Sequence, residues 1–308
     1  MTCTSNSPIR ASIIIPFYNA EPTLQQCLQS IVEQDYKENY EIIAVDNKST
    51  DQGRGIADSF INVITISQHE KQGICPTRNA GVKIARGEIL VFFDADQVAQ
   101  KDYLTILLRS TSQQEYGAFA SKNIAFEETD SVLSDYWKTE WSLDSANKNE
   151  LDKFSGGNFA MRKSVFDTLG GFDNELLMCE DFDLAWRMQK QLGLKIKYEL
   201  ESISYHYERA TVKSLVKREY NFGIGEVQLS TKFPEIKKSI FVSLFHILKR
   251  TFLGLAALCF KLLKLCIGKS SLREMHLLLL DIYLQWVHFL GITAGKLKFL
   301  QSLQKQNA

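Results

Sequence analysis

The sequence contains no CxxC pair, no hydrophobic leader, no internal repeat and no low-complexity tract. Its six cysteines, Cys3, Cys27, Cys75, Cys179, Cys259 and Cys266, are scattered singly, which excludes a zinc ribbon or disulfide scaffold and reads as reduced thiols. Met1 to Arg10 is polar and lacks the apolar stretch of a secretory signal, so the front of the chain is expected to face the cytosol. Four of the five prolines fall by residue 76, and neither proline nor glycine marks a flexible linker. Net charge is missing too, since 36 Lys and Arg balance 36 Asp and Glu. That balance hides an asymmetry: residues 1–210 carry 21 basic and 31 acidic side chains, a net of −10, whereas residues 211–308 carry 15 and 5, a net of +10. The acidic front suits a divalent cation, and the basic rear suits an anionic partner, nucleic acid or membrane.

What is present is a globular composition, 45% apolar over 308 residues, enough for one large or two smaller cores. Ser12-Ile13-Ile14-Ile15-Pro16, Tyr40 to Val45 and Glu88 to Phe93 are short apolar runs that read as buried parallel strands. Between the first two, Glu21-Pro22 opens a helix whose apolar face is Leu24, Cys27, Leu28, Ile31 and Val32. Gly73 to Arg86 has helical periodicity, with Gly87 as its expected C-terminal stop. Alternating strands and helices predict a doubly wound α/β sheet, whose ligands sit beyond the carboxyl ends of the strands. Those ends carry Phe17-Tyr18-Asn19, Asp46-Asn47-Lys48-Ser49-Thr50-Asp51 and Asp94-Ala95-Asp96. Composition changes near residue 210, which predicts a front domain over 1–215 and a helical module over 216–308.

From Ser239 to Ile267, the polar side chains Lys249, His246, Lys264, Ser239, Arg250, Lys261 and Ser243 share an arc of about 120° on a helix, and the rest is mainly Leu, Ile, Phe, Ala and Cys. A helix cationic on one side and apolar on the other is suited to lie along an anionic bilayer. Spanning is disfavoured, because ten residues separate Arg250 from Lys261 whereas a crossing helix needs about 20 apolar ones. A second segment, Glu274 to Lys296, carries Glu274, Asp281, Gln285, His288 and Lys296 in a narrow stripe, with Tyr283 and Trp286 as interface anchors. Packing on the front domain, or on a second copy, is the alternative. Nucleic acid is disfavoured, since the basic residues alternate with leucines and no nucleic-acid motif is present.

Asp94 and Asp96, at a strand end inside the expected crevice, would repel each other unless a cation joined them, and hard oxygen ligands suit Mg²⁺ or Mn²⁺. The match does not stand alone. Ile13 to Asn19, Val45 to Asp51, Gly73 to Gly81 and Gly87 to Asp96, followed by Ser155-Gly156-Gly157-Asn158, Glu180-Asp181-Phe182-Asp183 and His206, together resemble the inverting GT-A glycosyltransferases of family 2. The resemblance covers roughly the first 210 residues and does not extend to the tail. It implies a GT-A type doubly wound mixed sheet; the C-terminal helical module is expected to associate with a membrane by its own amphipathic pattern. The resemblance also implies that Pro16 and Tyr18 cradle the nucleotide base, Asp46 accepts from a base N–H, Arg78 contacts the nucleotide, Asp94 holds the ribose and Asp96 the metal. Glu180 and Asp181 match the family's acidic catalytic pair, with Asp181 deprotonating the acceptor and Glu180 orienting it. Gly156, Gly157 and Asn158 would shape the acceptor side, and His206 would contact metal or diphosphate.

Each position also has a plainer reading. Asp46 can be a turn residue, Glu180 to Asp183 an acidic first helical turn, His206 a core histidine and Cys179 a small packing residue. The function implied is a metal-dependent transferase taking a nucleotide diphosphate sugar, UDP favoured, to a lipid-linked or cell-surface glycan. Its expected place is the cytoplasmic face of a membrane, peripheral or monotopic, with self-association through the C-terminal helices a further partner. The alternative is a silent nucleotide-sugar-binding scaffold. A nucleotidyltransferase would carry a glycine-rich loop where Phe17-Tyr18-Asn19 stands. The segment from Lys122 to Lys153, with Trp137 and Trp141, is expected to contribute to acceptor choice.

Overall fold

A computed structural model of the chain describes residues 8–68, 70–126, 132–133, 135–136, 152–207, 211–236, 239–266 and 271–306. Trp137 and Trp141 lie outside the described residues. The chain divides into two compact units, one comprising residues 1–126, 141–175 and 180–207, the other 127–140, 176–179 and 208–308.

The first unit is built on strand β1 (Ala11–Phe17), all seven residues of which are buried. Its isoleucines are too apolar to leave in water, and each fully buried large side chain contributes about 1.5–3 kcal/mol. On one side β1 pairs in parallel with β2 (Tyr40–Asp46), which pairs in parallel with β3 (Val63–Ser67). On the other it pairs in parallel with β4 (Ile89–Phe93), so that Ile13 lies between Ile42 and Val91. From β4 the direction reverses. Strand β7 (Asn158–Arg162) runs antiparallel to it with Phe93 opposite Asn158, and β6 (Tyr116–Ala125), β8 (Lys195–His206) and β5 (Gln97–Ala99) complete a mixed sheet in the order β3-β2-β1-β4-β7-β6-β8-β5. Helix α1 (Leu24–Val32) buries Leu24, Cys27, Leu28 and Ile31, the face its spacing predicts. Short helices α2 (Gly53–Asp58), α4 (Tyr103–Leu108) and α5 (Lys163–Thr168) fill the connections.

Helix α3 (Ile74–Ile84) ends two residues earlier than expected, and Gly87 does not cap it. Gly87 is required for another reason: a Cβ there would lie 2.5 Å from the Ser12 backbone nitrogen. The Gly87 N–H instead donates to Ser12 Oγ (2.8 Å), which tethers the start of β4 to β1. Helix α6 (Glu180–Leu192) is the last helix of the unit among the described residues.

The second unit contains α7 (Val212–Lys232), α8 (Ile240–Cys266) and α9 (Leu272–Gln306). A division of the chain at residue 215 would fall inside α7, whose N-cap is Thr211, with its side chain accepting from the Ser214 N–H (3.2 Å). Helices α7 and α9 touch backbone to backbone. A Cβ on Gly223 would meet the His288 carbonyl, and one on Gly291 would meet the Tyr220 carbonyl. At the same crossing His288 lies against two carboxylates, Glu226 (Nε2 to Oε2, 3.0 Å) and Glu219 (Nδ1 to Oε2, 3.5 Å).

Helices α8 and α9 form a hairpin in which Trp286 Nε1 donates to Thr251 Oγ1 (3.0 Å), Gly254 lies against Ile282, and Lys261 pairs with Glu274. Although the spacing of Arg250 and Lys261 speaks against spanning, both helices are long and apolar enough over their whole length to cross a bilayer, over Ile240–Leu265 and Leu272–Gln301, because the flanking turns are apolar as well; 11% and 22% of their most apolar stretches is buried. Phe241 and Phe252 are 77% and 72% exposed. Core helices of a soluble protein would hide such side chains.

Candidate active site

Strands β1, β2 and β4 end at one edge of the first unit's sheet, and antiparallel β7 begins there, so four chain segments converge. After β1, Asn19 adopts a left-handed backbone (φ 48°), and its Oδ1 accepts from the Thr50 N–H (2.8 Å). This ties the loop after β1 to the loop after β2. In that second loop Asp46 Oδ1 accepts from the Ser49 N–H (2.8 Å), and Lys48 turns left-handed (φ 64°). Of the residues expected at the nucleotide, Pro16 is buried in β1 opposite Val45, Tyr18 is half-exposed, and Asp46 is largely buried at the strand end.

The turn after β4 presents Asp94 and Asp96. Strand β5 follows at once and pairs with the end of β8, Gln97 opposite His206, and this register delivers the imidazole to the carboxylates. One ligand atom each from Asp94, Asp96 and His206 lie within 4.8 Å of one another. Ligands about 2.1 Å from one ion stand at most about 4.2 Å apart, so the set needs only a small side-chain adjustment to share a cation. His206 Nδ1 lies 2.8 Å from the Tyr207 carbonyl oxygen, which can only accept, so that nitrogen carries a proton. In the neutral ring the Nε2 lone pair then faces Asp96 Oδ1 at 3.3 Å. Two electron-rich atoms at that spacing repel unless a proton or metal ion lies between them. The two-oxygen, one-nitrogen donor set fits Mn²⁺ or Mg²⁺.

A second cluster lies on the far side of Asp94. Arg78, from α3, donates through Nη2 to Asp94 Oδ1 (2.8 Å) and through Nη1 to Glu180 Oε1 (2.7 Å). Its side chain is 2% exposed, and the guanidinium carbon stands 5.5 Å from the centre of the Phe172 ring. Its Nε has no hydrogen-bond partner among the described residues. The loop before β7 is shaped around these groups: a Cβ on Gly157 would overlap the Asp94 carboxylate, and one on Gly156 would lie 3.1 Å from Arg78 Nη1 and 3.2 Å from Glu180 Oε1.

Helix α6 begins at Glu180, immediately after Cys179, whose backbone is left-handed (φ 64°). Such a conformation is uncommon outside glycine and costs about 1–3 kcal/mol, so it marks a turn held by its surroundings. Asp181 accepts from the Gly156 N–H (Oδ2, 3.0 Å) and from the Phe182 N–H (Oδ1, 2.9 Å). Burial above all, and then the charge of Glu180, push the Asp181 carboxyl up to about 7, against the lowering pull of the Phe182 N–H, Arg78 and its own backbone N–H. Asp183, in the same helical turn, is committed to Arg187 (Oδ2 to Nη2, 2.7 Å), so its charge is neutralised locally.

Asn158, expected to shape the acceptor side, lies in the interior. It is fully buried; its Oδ1 accepts from Tyr103 Oη (2.8 Å) and its Nδ2 donates to Asn123 Oδ1 (2.6 Å). The same Oδ1 accepts from Ser121 Oγ, and Ser204 also donates to Asn123 Oδ1. Asn158 anchors the loop from beneath, because a buried carboxamide must satisfy its polar atoms internally. Sequence reasoning missed this network and the pairing of Arg78. The one available signal was Gly156-Gly157 beside the acidic motifs, which foreshadows crowding by larger side chains.

A family model described as glycosyl transferase family 2 matches residues 12–170. Glycosyltransferase AglE of Haloferax volcanii is 28% identical over 240 residues, covering 73% of this chain and 75% of that protein. A dolichyl N-acetyl-alpha-D-glucosaminyl phosphate 3-beta-D-2,3-diacetamido-2,3-dideoxy-beta-D-glucuronosyltransferase of Methanococcus voltae is 26% identical, over 70% of this chain and 72% of its own. Among solved structures, the mannosyltransferase PcManGT of Pyrobaculum calidifontis, in complex with GDP-Man and Mn²⁺, superposes with a TM-score of 0.57 at 18% identity, covering 94% of this chain and 74% of that one. That likeness establishes a shared fold of the GT-A type.

Proposed function

The chain belongs to glycosyl transferase family 2, and from that footing we propose that it moves a sugar, with inversion, from a nucleoside diphosphate donor to a hydroxyl of a lipid-linked or cell-surface glycan. The observation that carries the reading is Asp181, a carboxylate at the start of α6 with a basicity near neutrality, one residue from the Glu180–Arg78–Asp94 chain that leads to the Asp94, Asp96 and His206 group. In a single displacement the acceptor oxygen forms its bond to the anomeric carbon while the bond to the diphosphate oxygen breaks. The electron pair leaves with the diphosphate, and the hydroxyl proton passes to Asp181, whose raised basicity suits it to act near neutral pH. Glu180, beside the base, orients the acceptor. Tyr18 and Asp46 offer an aromatic face and a carboxylate acceptor to the base, at the strand ends where α/β sheets bind nucleotides.

Asp96 and His206, with Asp94 beside them, would hold the divalent ion, which when bound neutralises charge on the departing diphosphate. Support for Mn²⁺ comes from the donor set and from the ion in the Pyrobaculum complex. The exposed Phe and Leu of α8 and α9, interleaved with Lys249, Arg250, Lys261 and Lys264, support association of the second unit with an anionic bilayer, peripheral or monotopic, at the cytoplasmic face. The Methanococcus relative, named for a dolichyl phosphate acceptor, favours a lipid-linked glycan.

The test is a calorimetric and thermal-shift screen of UDP, GDP and dTDP with and without Mn²⁺, followed by transfer assays with the matching sugars. UDP with Mn²⁺ is expected to bind first. A protein that responds to none of the three is not a nucleotide-sugar transferase, and one that binds but never transfers is a scaffold.

A further inference from the structure

We propose that Arg78 is a positioning residue and not a nucleotide contact: one buried guanidinium sets the spacing between Asp94 on the donor side and Glu180 on the acceptor side. The inference rests on the transferase reading above and deepens it. Three observations carry it. With 2% of its side chain exposed, Arg78 offers no surface to a nucleotide. Its two Nη atoms are each committed to a different carboxylate, one 16 and the other 102 residues away in sequence, at 2.8 and 2.7 Å. Gly156 and Gly157 leave room for this bridge where any larger residue would press on Arg78, Asp94 and Glu180.

The chemistry of the side chain explains the choice. A planar guanidinium presents donors in a rigid fork, so two carboxylates that bind it are fixed relative to each other in distance and direction. An ammonium on a flexible stem would satisfy the charge without setting the geometry. Phe172 lies close beside the guanidinium and limits the rotation of the fork. Asp94 belongs to the group that faces the donor, and Glu180 is the neighbour of the proposed base. Arg78 therefore ties the two reacting partners' supports into one unit, and a shift on either side is passed to the other.

The experiment compares wild type, Arg78→Lys, Glu180→Gln and the double variant for UDP and GDP affinity with Mn²⁺ by calorimetry, and for kcat and KM with the donor that wild type uses. Arg78→Lys is expected to bind the nucleotide within about threefold of wild type, while kcat falls by about 100-fold with donor KM unchanged, the penalty expected for misplacing a reacting partner by about 1 Å. Glu180→Gln, which cuts the bridge at its other end, is expected to give the same split, and the double variant to lose little more than either single one, because both break one unit. Should Arg78→Lys fold poorly, the Glu180→Gln split decides. A loss of nucleotide affinity of tenfold or more with kcat retained makes Arg78 a nucleotide contact, and fully additive losses in the double variant show that Arg78 and Glu180 act separately; either result overturns the inference. A wild type that neither binds nor transfers would instead overturn the transferase reading, and this inference with it.

Discussion

If Asp181 is the base, activity must follow its titration. The carboxyl stands at about 7 in the folded protein against 3.8 for an ordinary aspartate, chiefly because it is buried and then because Glu180 is charged beside it. A group with that value is about one-eleventh ionised at pH 6 and about ten-elevenths at pH 8, so kcat/KM, which reports the free enzyme, should rise about tenfold over that interval. Asp181→Asn should abolish the acid limb and lower kcat by about 10²- to 10⁴-fold, the usual contribution of a positioned base. Stability gives an independent readout. Because the folded value lies above the unfolded one, the folded state holds the proton more tightly between the two, so stability is greatest at low pH and is lost as pH rises from about 4 through about 7. Asp181→Asn should therefore flatten the dependence of Tm on pH in that window and melt higher than wild type at pH 8. A kcat/KM profile that is flat between pH 6 and 8, or a variant whose melting still falls with pH as wild type does, would refute the assignment.

Three further outcomes follow from other parts of the molecule. Gly157→Ala places a methyl group onto the Asp94 carboxylate; it should lose Mn²⁺-dependent nucleotide affinity in calorimetry and destabilise by about 1–3 kcal/mol through overpacking. His206→Ala should raise the Mn²⁺ concentration needed for half-maximal activity after chelation and readdition, since it removes the one nitrogen ligand from the Asp94, Asp96 and His206 group. Phe252→Asp, on an exposed turn of α8, should reduce cosedimentation with anionic vesicles while leaving transfer to a soluble acceptor intact; unchanged cosedimentation would point to a second copy as the occupant of that face.

The strands and helices nearest the chain's start were legible because their periods are local. Ile13 to Ile15, Ile42 to Val45 and Ile89 to Phe93 announce buried strands, and Leu24, Cys27, Leu28 and Ile31 announce one helical face, with no need of partners. Gly87 misled because a glycine after a helical pattern has two uses, and only the proximity of Ser12 separates a cap from a close approach. Asp94, Asp96 and His206 were brought together by resemblance; nothing local relates residue 96 to residue 206, which meet through the pairing of β5 with β8. The commitments of Arg78 and Asn158 were invisible for the same reason: their partners are distant in sequence, and a polar letter does not say whether it faces a cleft or the interior. The glycines between α7 and α9 escaped a reading that counted apolar and charged residues, since glycine's contribution there is the absence of a side chain.

The reversal of direction at β4 also has a consequence for how two substrates come to meet. In an all-parallel arrangement the first residues of a strand lie at the opposite rim from the last residues of its neighbours, some five residues and about 17 Å away for a strand this long. Because β7 runs against β4, with Phe93 opposite Asn158, its opening residues are laid at the rim where β1, β2 and β4 finish. The chain thus brings the loop holding Gly156 and Gly157 alongside the one holding Asp94 and Asp96. One antiparallel pairing gives the sheet a shared bench at its rim, where under the proposed transfer a second molecule would be set down beside the nucleotide.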